Sequence, residues 1–163
     1  MVLKQEKNSR LVKVALATLG CKLNQAESES IALKLAAAGF TLVQKAEQAD
    51  IFLLNTCTVT HVADRKARHL LQMSRRLNPA VKLVVCGCYA EKSAAELSAI
   101  AGVEMVIGNR AKDELVGRLR NLSGVNPGES VPTPLGSSRV RSFVKAQDGC
   151  SSFCAYCIRT GMT

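Results

Sequence analysis

Short apolar runs alternate along the chain with longer segments whose apolar residues recur at helical spacing. Leu11–Leu16 reads as a strand rich in valine and leucine. Asn24–Ala38 has Ile31, Leu35 and Ala38 on one stripe, and Gly39 is placed to end that helix. Phe40–Val43 is a short strand. Asp50–Asn55 is almost continuously apolar, the pattern of a strand covered on both faces. His61–Leu77 is a helix with Ala63, Ala67, Leu70, Leu71 and Leu77 on its apolar side, ended by Asn78-Pro79. Val81–Val85 is a further buried strand. Ser93 and Glu96 form a capping box for a short helix. Val103–Ile107 is a strand, and Lys112–Arg120 a closing helix. This alternation predicts an α/β fold: a flavodoxin-like parallel sheet, order 2-1-3-4-5, with helices on both faces.

The pattern breaks after residue 120. Asn121–Ser138 is rich in proline, glycine and serine and reads as a linker. Arg139–Gln147 alternates and reads as the first strand of a second sheet. The expected organisation is a domain over 1–120, a linker over 121–138 and the start of another domain over 139–163.

Composition narrows the picture further. The formal charge is +9, which favours a polyanionic partner such as RNA, through counterion release from phosphates. Aromatic residues are 4% and tryptophan is absent, so phosphate contact is favoured over base stacking. No apolar run has transmembrane length and no signal-peptide pattern opens the chain, so a cytoplasmic protein without membrane contact is expected. In a reducing compartment, seven cysteines point to metal or catalytic chemistry, and the odd number argues against a disulfide framework.

Cys21, Cys57 and Cys88 each follow a strand, at the carboxyl edge where parallel α/β sheets place ligands. In the expected order these strands are neighbours, roughly 4.8 Å apart, so three thiols can converge on one small cluster, the alternative being that each is a small buried packing residue. Cys86 continues an apolar run and reads as packing. Cys150, Cys154 and Cys157 form C-x3-C-x2-C. Three thiolates on a short loop suit a 4Fe–4S cluster with one open iron, the site that chelates S-adenosylmethionine (SAM) for radical generation. Tyr156 occupies the place of an adenine-side aromatic. A zinc site is the alternative, although structural zinc wants a fourth ligand that this loop lacks. A chance grouping of cysteines is another.

The Thr18-Leu19-Gly20-Cys21-Lys22-Leu23-Asn24, Asn55-Thr56-Cys57-Thr58-Val59-Thr60 and Gly87-Cys88-Tyr89-Ala90-Glu91 segments resemble the three N-terminal motifs of the radical-SAM methylthiotransferase family. Their wording is nearest to the MtaB-type subgroup, which acts on N6-threonylcarbamoyladenosine next to the tRNA anticodon. The resemblance runs from about Val12 to Cys157. It implies that Cys21, Cys57 and Cys88 hold an auxiliary 4Fe–4S cluster that delivers sulfur. It implies that Cys150, Cys154 and Cys157 hold the SAM cluster. The radical then abstracts hydrogen from C2 of the adenine, sulfur inserts, and a second SAM supplies the methyl group. The partners implied are tRNA and unidentified sulfur and electron donors.

After Cys157 the family continues with Ile-(Ile/Val)-Pro and an Arg-Gly step. This sequence reads Ile158-Arg159-Thr160-Gly161-Met162-Thr163. The expectation is an enzyme sequence truncated before its barrel and inactive alone. From another class comes the alternative of a non-catalytic iron–sulfur or RNA-binding remnant.

The helix over 61–77 carries Arg65, Lys66, Arg68, Arg75 and Arg76 against Asp64. Arg65, Lys66 and Arg68 are candidate tRNA-phosphate contacts, the alternative being a solvated helix face. His61 and His69 read as surface residues.

Overall fold

A computed structural model of the chain describes residues 11–57 and 61–124. The expected linker and the segment over 139–163, with Cys150, Cys154, Tyr156 and Cys157, lie outside the described residues.

Five strands, β1 (Lys13–Thr18), β2 (Thr41–Val43), β3 (Ile51–Thr56), β4 (Lys82–Gly87) and β5 (Val103–Ile107), form one sheet. Every pairing is parallel and the order is β2-β1-β3-β4-β5, as the alternating pattern predicts. The helices are α1 (Lys22–Ala37), α2 (His61–Leu77), α3 (Cys88–Lys92), α4 (Ala94–Ser98) and α5 (Leu115–Ser123).

The period of two along β3 separates two cores. Ile51 and Leu53 pack with Ile31, Leu35, Leu115 and Leu119 beneath α1 and α5. Phe52 and Leu54 pack with Ala67, Leu71 and Leu97 beneath α2 and α4. Because both faces are covered, all of β3 is buried and the strand shows no polar alternation until Asn55.

Four sequence expectations need correction. Ser93 precedes α4 without a side-chain capping bond, and Glu96 turns to Arg68. Leu77, the last residue of α2, is half exposed, and the buried positions of that helix are Asp64, Ala67, Leu71 and Ser74. Asn121, Leu122 and Ser123 belong to α5 rather than to a linker; Gly124 ends that helix in the left-handed conformation glycine tolerates. A 3-10 segment over Asn109–Glu114 replaces the expected start of the closing helix. Among the described residues no helix is long and apolar enough to cross a membrane.

Candidate metal centre

The register of the sheet places the N-terminal cysteines. Thr56 pairs with Gly87, so Cys57 and Cys88 each follow the last residue of adjacent strands. Thr18 pairs with Asn55, and the Leu19 N–H donates to the Asn55 carbonyl at 2.9 Å, extending the ladder by one step. Gly20 then lies opposite Cys57, and a Cβ on Gly20 would collide with the Cys57 side chain. Cys21 comes next, immediately before α1. Cys88 is the first residue of α3. Gly20 at φ +136° and Gly87 at φ +108° make the turns out of β1 and β4. At Gly87 any side chain would also meet the Thr56 backbone, so both positions need glycine twice over.

Beneath this edge lies a buried polar network on the α1 side. The Asn55 side-chain amide donates to the Asn24 carbonyl at 3.1 Å and to Ser28 Oγ at 3.0 Å. Asn24 Nδ2 donates to the Thr56 carbonyl at 2.9 Å, directly before Cys57. Thr18 Oγ1 donates to Ser28 Oγ at 2.6 Å, and Thr56 Oγ1 to the Cys86 carbonyl at 2.8 Å. These bonds tie α1, β1, β3 and β4 together just below the cysteines. A buried network with its partners in place fixes one arrangement, because every alternative strands a polar atom.

Cys57 and Cys88 are buried and Cys21 is exposed. Cys21 Sγ donates to Asn24 Oδ1 at 3.3 Å, and Asn109 Nδ2 donates to Cys88 Sγ at 3.5 Å. None of the four described cysteines is in a disulfide. Among the described residues, no three His, Cys, Asp or Glu side chains are gathered into a metal-binding arrangement. The edge thus brings the three chain positions together, while the sulfurs of Cys21 and Cys88 keep protein partners. The donor chemistry suits a thiolate-bound group: three thiols without a disulfide, one on an exposed residue able to change rotamer without disturbing the core. Cys86 belongs to the α1-side core, and burial pushes its thiol up to about 12. It stays protonated and inert at neutral pH, a packing cysteine.

Among the basic residues of α2, Arg65 and Lys66 are exposed. Arg68 is engaged: its Nη1 donates to Tyr89 Oη at 2.6 Å and to Glu96 Oε1 at 2.7 Å. The bond to Tyr89 raises the Arg68 pKa further. His61 and His69 are exposed.

The sequence reading assigned no role to Asn24, Ser28, Asn55, Thr56, Glu91 or Asn109. Asn24, Asn55, Thr56 and Glu91 lie within the motif segments, and Asn55-Thr56 are also two polar residues closing an otherwise apolar strand.

Residues 13–108 match a family model described as uncharacterized protein family UPF0004. The chain is 34% identical to threonylcarbamoyladenosine tRNA methylthiotransferase MtaB of Bacillus subtilis, over 91% of this chain and 36% of that protein. For the protein of the same name from Aquifex aeolicus the identity is 36%, over 90% and 39%. For tRNA-2-methylthio-N(6)-dimethylallyladenosine synthase of Neorickettsia sennetsu it is 31%, over 94% and 37%. The chain therefore spans under two-fifths of the length of these relatives. It belongs to the UPF0004 family, the N-terminal domain of methylthiotransferases of the MtaB and MiaB type.

Proposed function

We propose that this chain is the cluster-bearing N-terminal part of a radical-SAM tRNA methylthiotransferase, an enzyme that adds a methylthio group to C2 of N6-threonylcarbamoyladenosine next to the anticodon. One observation carries the reading: a single sheet edge, held by a buried polar network, presents Cys21, Cys57 and Cys88 from three adjacent strands. The names of the MtaB relatives support the substrate.

Cys21, Cys57 and Cys88 would hold a 4Fe–4S cluster, and Cys150, Cys154 and Cys157 would hold a second one, with Tyr156 beside SAM. When bound, these groups supply the sulfur and the radical chemistry. The share of the described residues is positional. Asn24 fixes the backbone just before Cys57, at the Thr56 carbonyl, and Asn55 ties β3 to the start of α1. Gly20 and Gly87 let neighbouring strands approach where a side chain would intervene. The net charge of +9 favours tRNA, and exposed Arg65 and Lys66 are the phosphate contacts proposed on α2; Arg68 stands beside them but is already bonded.

Anaerobic reconstitution of the chain carrying Cys150, Cys154 and Cys157 as alanine tests the first site alone. About four irons per chain are expected, lost when Cys21, Cys57 and Cys88 are also changed to alanine. Stoichiometric zinc without iron-dependent visible absorbance would overturn the assignment.

A further inference from the structure

The corner after β5 reaches back to the cysteine edge, and nothing in the relatives' names bears on it. Asn109 makes two distinct contacts there. Its backbone N–H donates to Glu91 Oε2 at 2.9 Å, and its side-chain Nδ2 donates to Cys88 Sγ at 3.5 Å. Glu91 is on α3, the short helix that Cys88 begins. Gly108 lies so close to the Glu91 carboxylate that any Cβ there would collide with it. A larger residue at 108 would push the Glu91 carboxylate away from its bond to the Asn109 N–H. One carboxylate clamps the corner, and the clamped corner aims an amide at one sulfur.

We propose that Asn109 is a positioning residue which, through its hydrogen bond to Cys88 Sγ, raises the reduction potential of an iron–sulfur cluster bound through Cys88, with Glu91 holding Asn109 in place. The inference rests on the cluster reading above. Hydrogen bonds to cluster sulfurs are one of the levers that set such potentials. An N–H donor delocalises the negative charge of a thiolate and so favours the more negative, reduced state. Here a side-chain N–H donates to a candidate ligand sulfur, whereas Cys21 donates to Asn24.

The test uses the full chain with Cys150, Cys154 and Cys157 as alanine, loaded anaerobically with iron and sulfide and titrated with a reductant under electron paramagnetic resonance. Asn109→Leu removes the donor. Asn109→Asp removes it with almost no change in shape, and keeps the test open if the leucine variant does not fold. Both are expected to retain iron and to be about tenfold harder to reduce, about 59 mV for a one-electron couple. The aspartate variant is expected to shift further, through its added charge. Asn109→Gln, which keeps an amide, should recover part of the loss. Glu91→Ala should shift in the same direction by less, because the donor stays but its backbone clamp is gone. Parental potentials in the loaded Asn109 variants would overturn the inference and leave the cluster reading standing. Loss of iron from both folded variants would overturn it differently, making Asn109 a retention residue. Absence of iron from the parent chain would overturn the cluster reading and the inference together.

Discussion

On the α1–α5 face, the core changes character before it reaches the cysteine edge. Asn24, Ser28 and Asn55 replace apolar contacts with buried hydrogen bonds. On the α2–α4 face the strand ends stay apolar, through Leu54, Val85, Tyr89 and Ala90, and the buried polar residues Asp64 and Ser74 lie on α2 instead. Polar bonding appears there at the rim, where Arg68 meets Tyr89 and Glu96. Apolar packing is non-directional and tolerates small adjustments, whereas a satisfied polar network specifies direction and register. The face that fixes Cys57 and the start of α1 is the face that uses hydrogen bonds.

The sharpest way to break this comparison is to damage both faces equally. Asn55→Leu leaves the Asn24 carbonyl and Ser28 without their shared donor, costing about 3 kcal/mol. Leu71→Ala opens a cavity in the other core at a comparable cost, about 2–5 kcal/mol. Urea unfolding should show the two losses. Iron retained after reconstitution should fall for Asn55→Leu and stay near the parental level for Leu71→Ala while that variant is folded. Equal retention in both would mean that the polar network gives stability without placing the cysteines.

An effect confined to alkaline pH separates Cys86 from the cysteine two residues beyond it. Its thiol, normally near 9.0, is pushed up to about 12 by burial. The unfolded chain therefore releases this proton first. Stability that is fully present below about pH 9 should fall as pH rises through the window toward about 12, by at most about 1.4 kcal/mol per pH unit. Burial also pushes the Tyr89 hydroxyl up, so Cys86→Ala should make the alkaline decline shallower without abolishing it. Urea midpoints at increasing pH measure the difference. An identical decline in the variant would show that Cys86 is less deeply enclosed than its packing indicates.

The sheet order and its two cores were legible because parallel strands covered on both faces leave nearly unbroken apolar runs. The strand-end positions of Cys21, Cys57 and Cys88 were legible for the same reason. The supports of the edge were not. Asn24 lies on a helix whose stripe of Ile31, Leu35 and Ala38 identifies the buried side further along, and its amide reaches a carbonyl on another strand. Asn109 is separated from Cys88 by α4 and β5, and no periodicity links residues brought together by a turn after a strand. Ser93 failed as a cap because the capping-box pattern specifies residue types, whereas the bond needs backbone geometry that the junction of α3 and α4 lacks. Arg68 was grouped with Arg65 and Lys66 by charge, yet helical spacing turns it toward Tyr89.

That division within α2 gives the smallest effect and a direct test of its rim. Arg68 is bonded to two side chains on α3 and α4, whereas Arg65 and Lys66 are exposed. Arg68→Gln and Tyr89→Phe should each lower stability by about 1 kcal/mol, the usual net worth of one such bond. Their combination should cost less than the sum, since both remove the same hydrogen bond. In tRNA binding measured over a range of salt, Arg68→Gln should leave the slope of log affinity against log salt nearly unchanged. Replacing Arg65 and Lys66 with glutamine should leave stability within about 0.5 kcal/mol and reduce that slope by roughly one for each phosphate no longer neutralised. A reduced slope in Arg68→Gln with unchanged stability would reverse the assignment: the Tyr89 bond would yield to phosphate, and the rim of the apolar face would belong to the RNA surface.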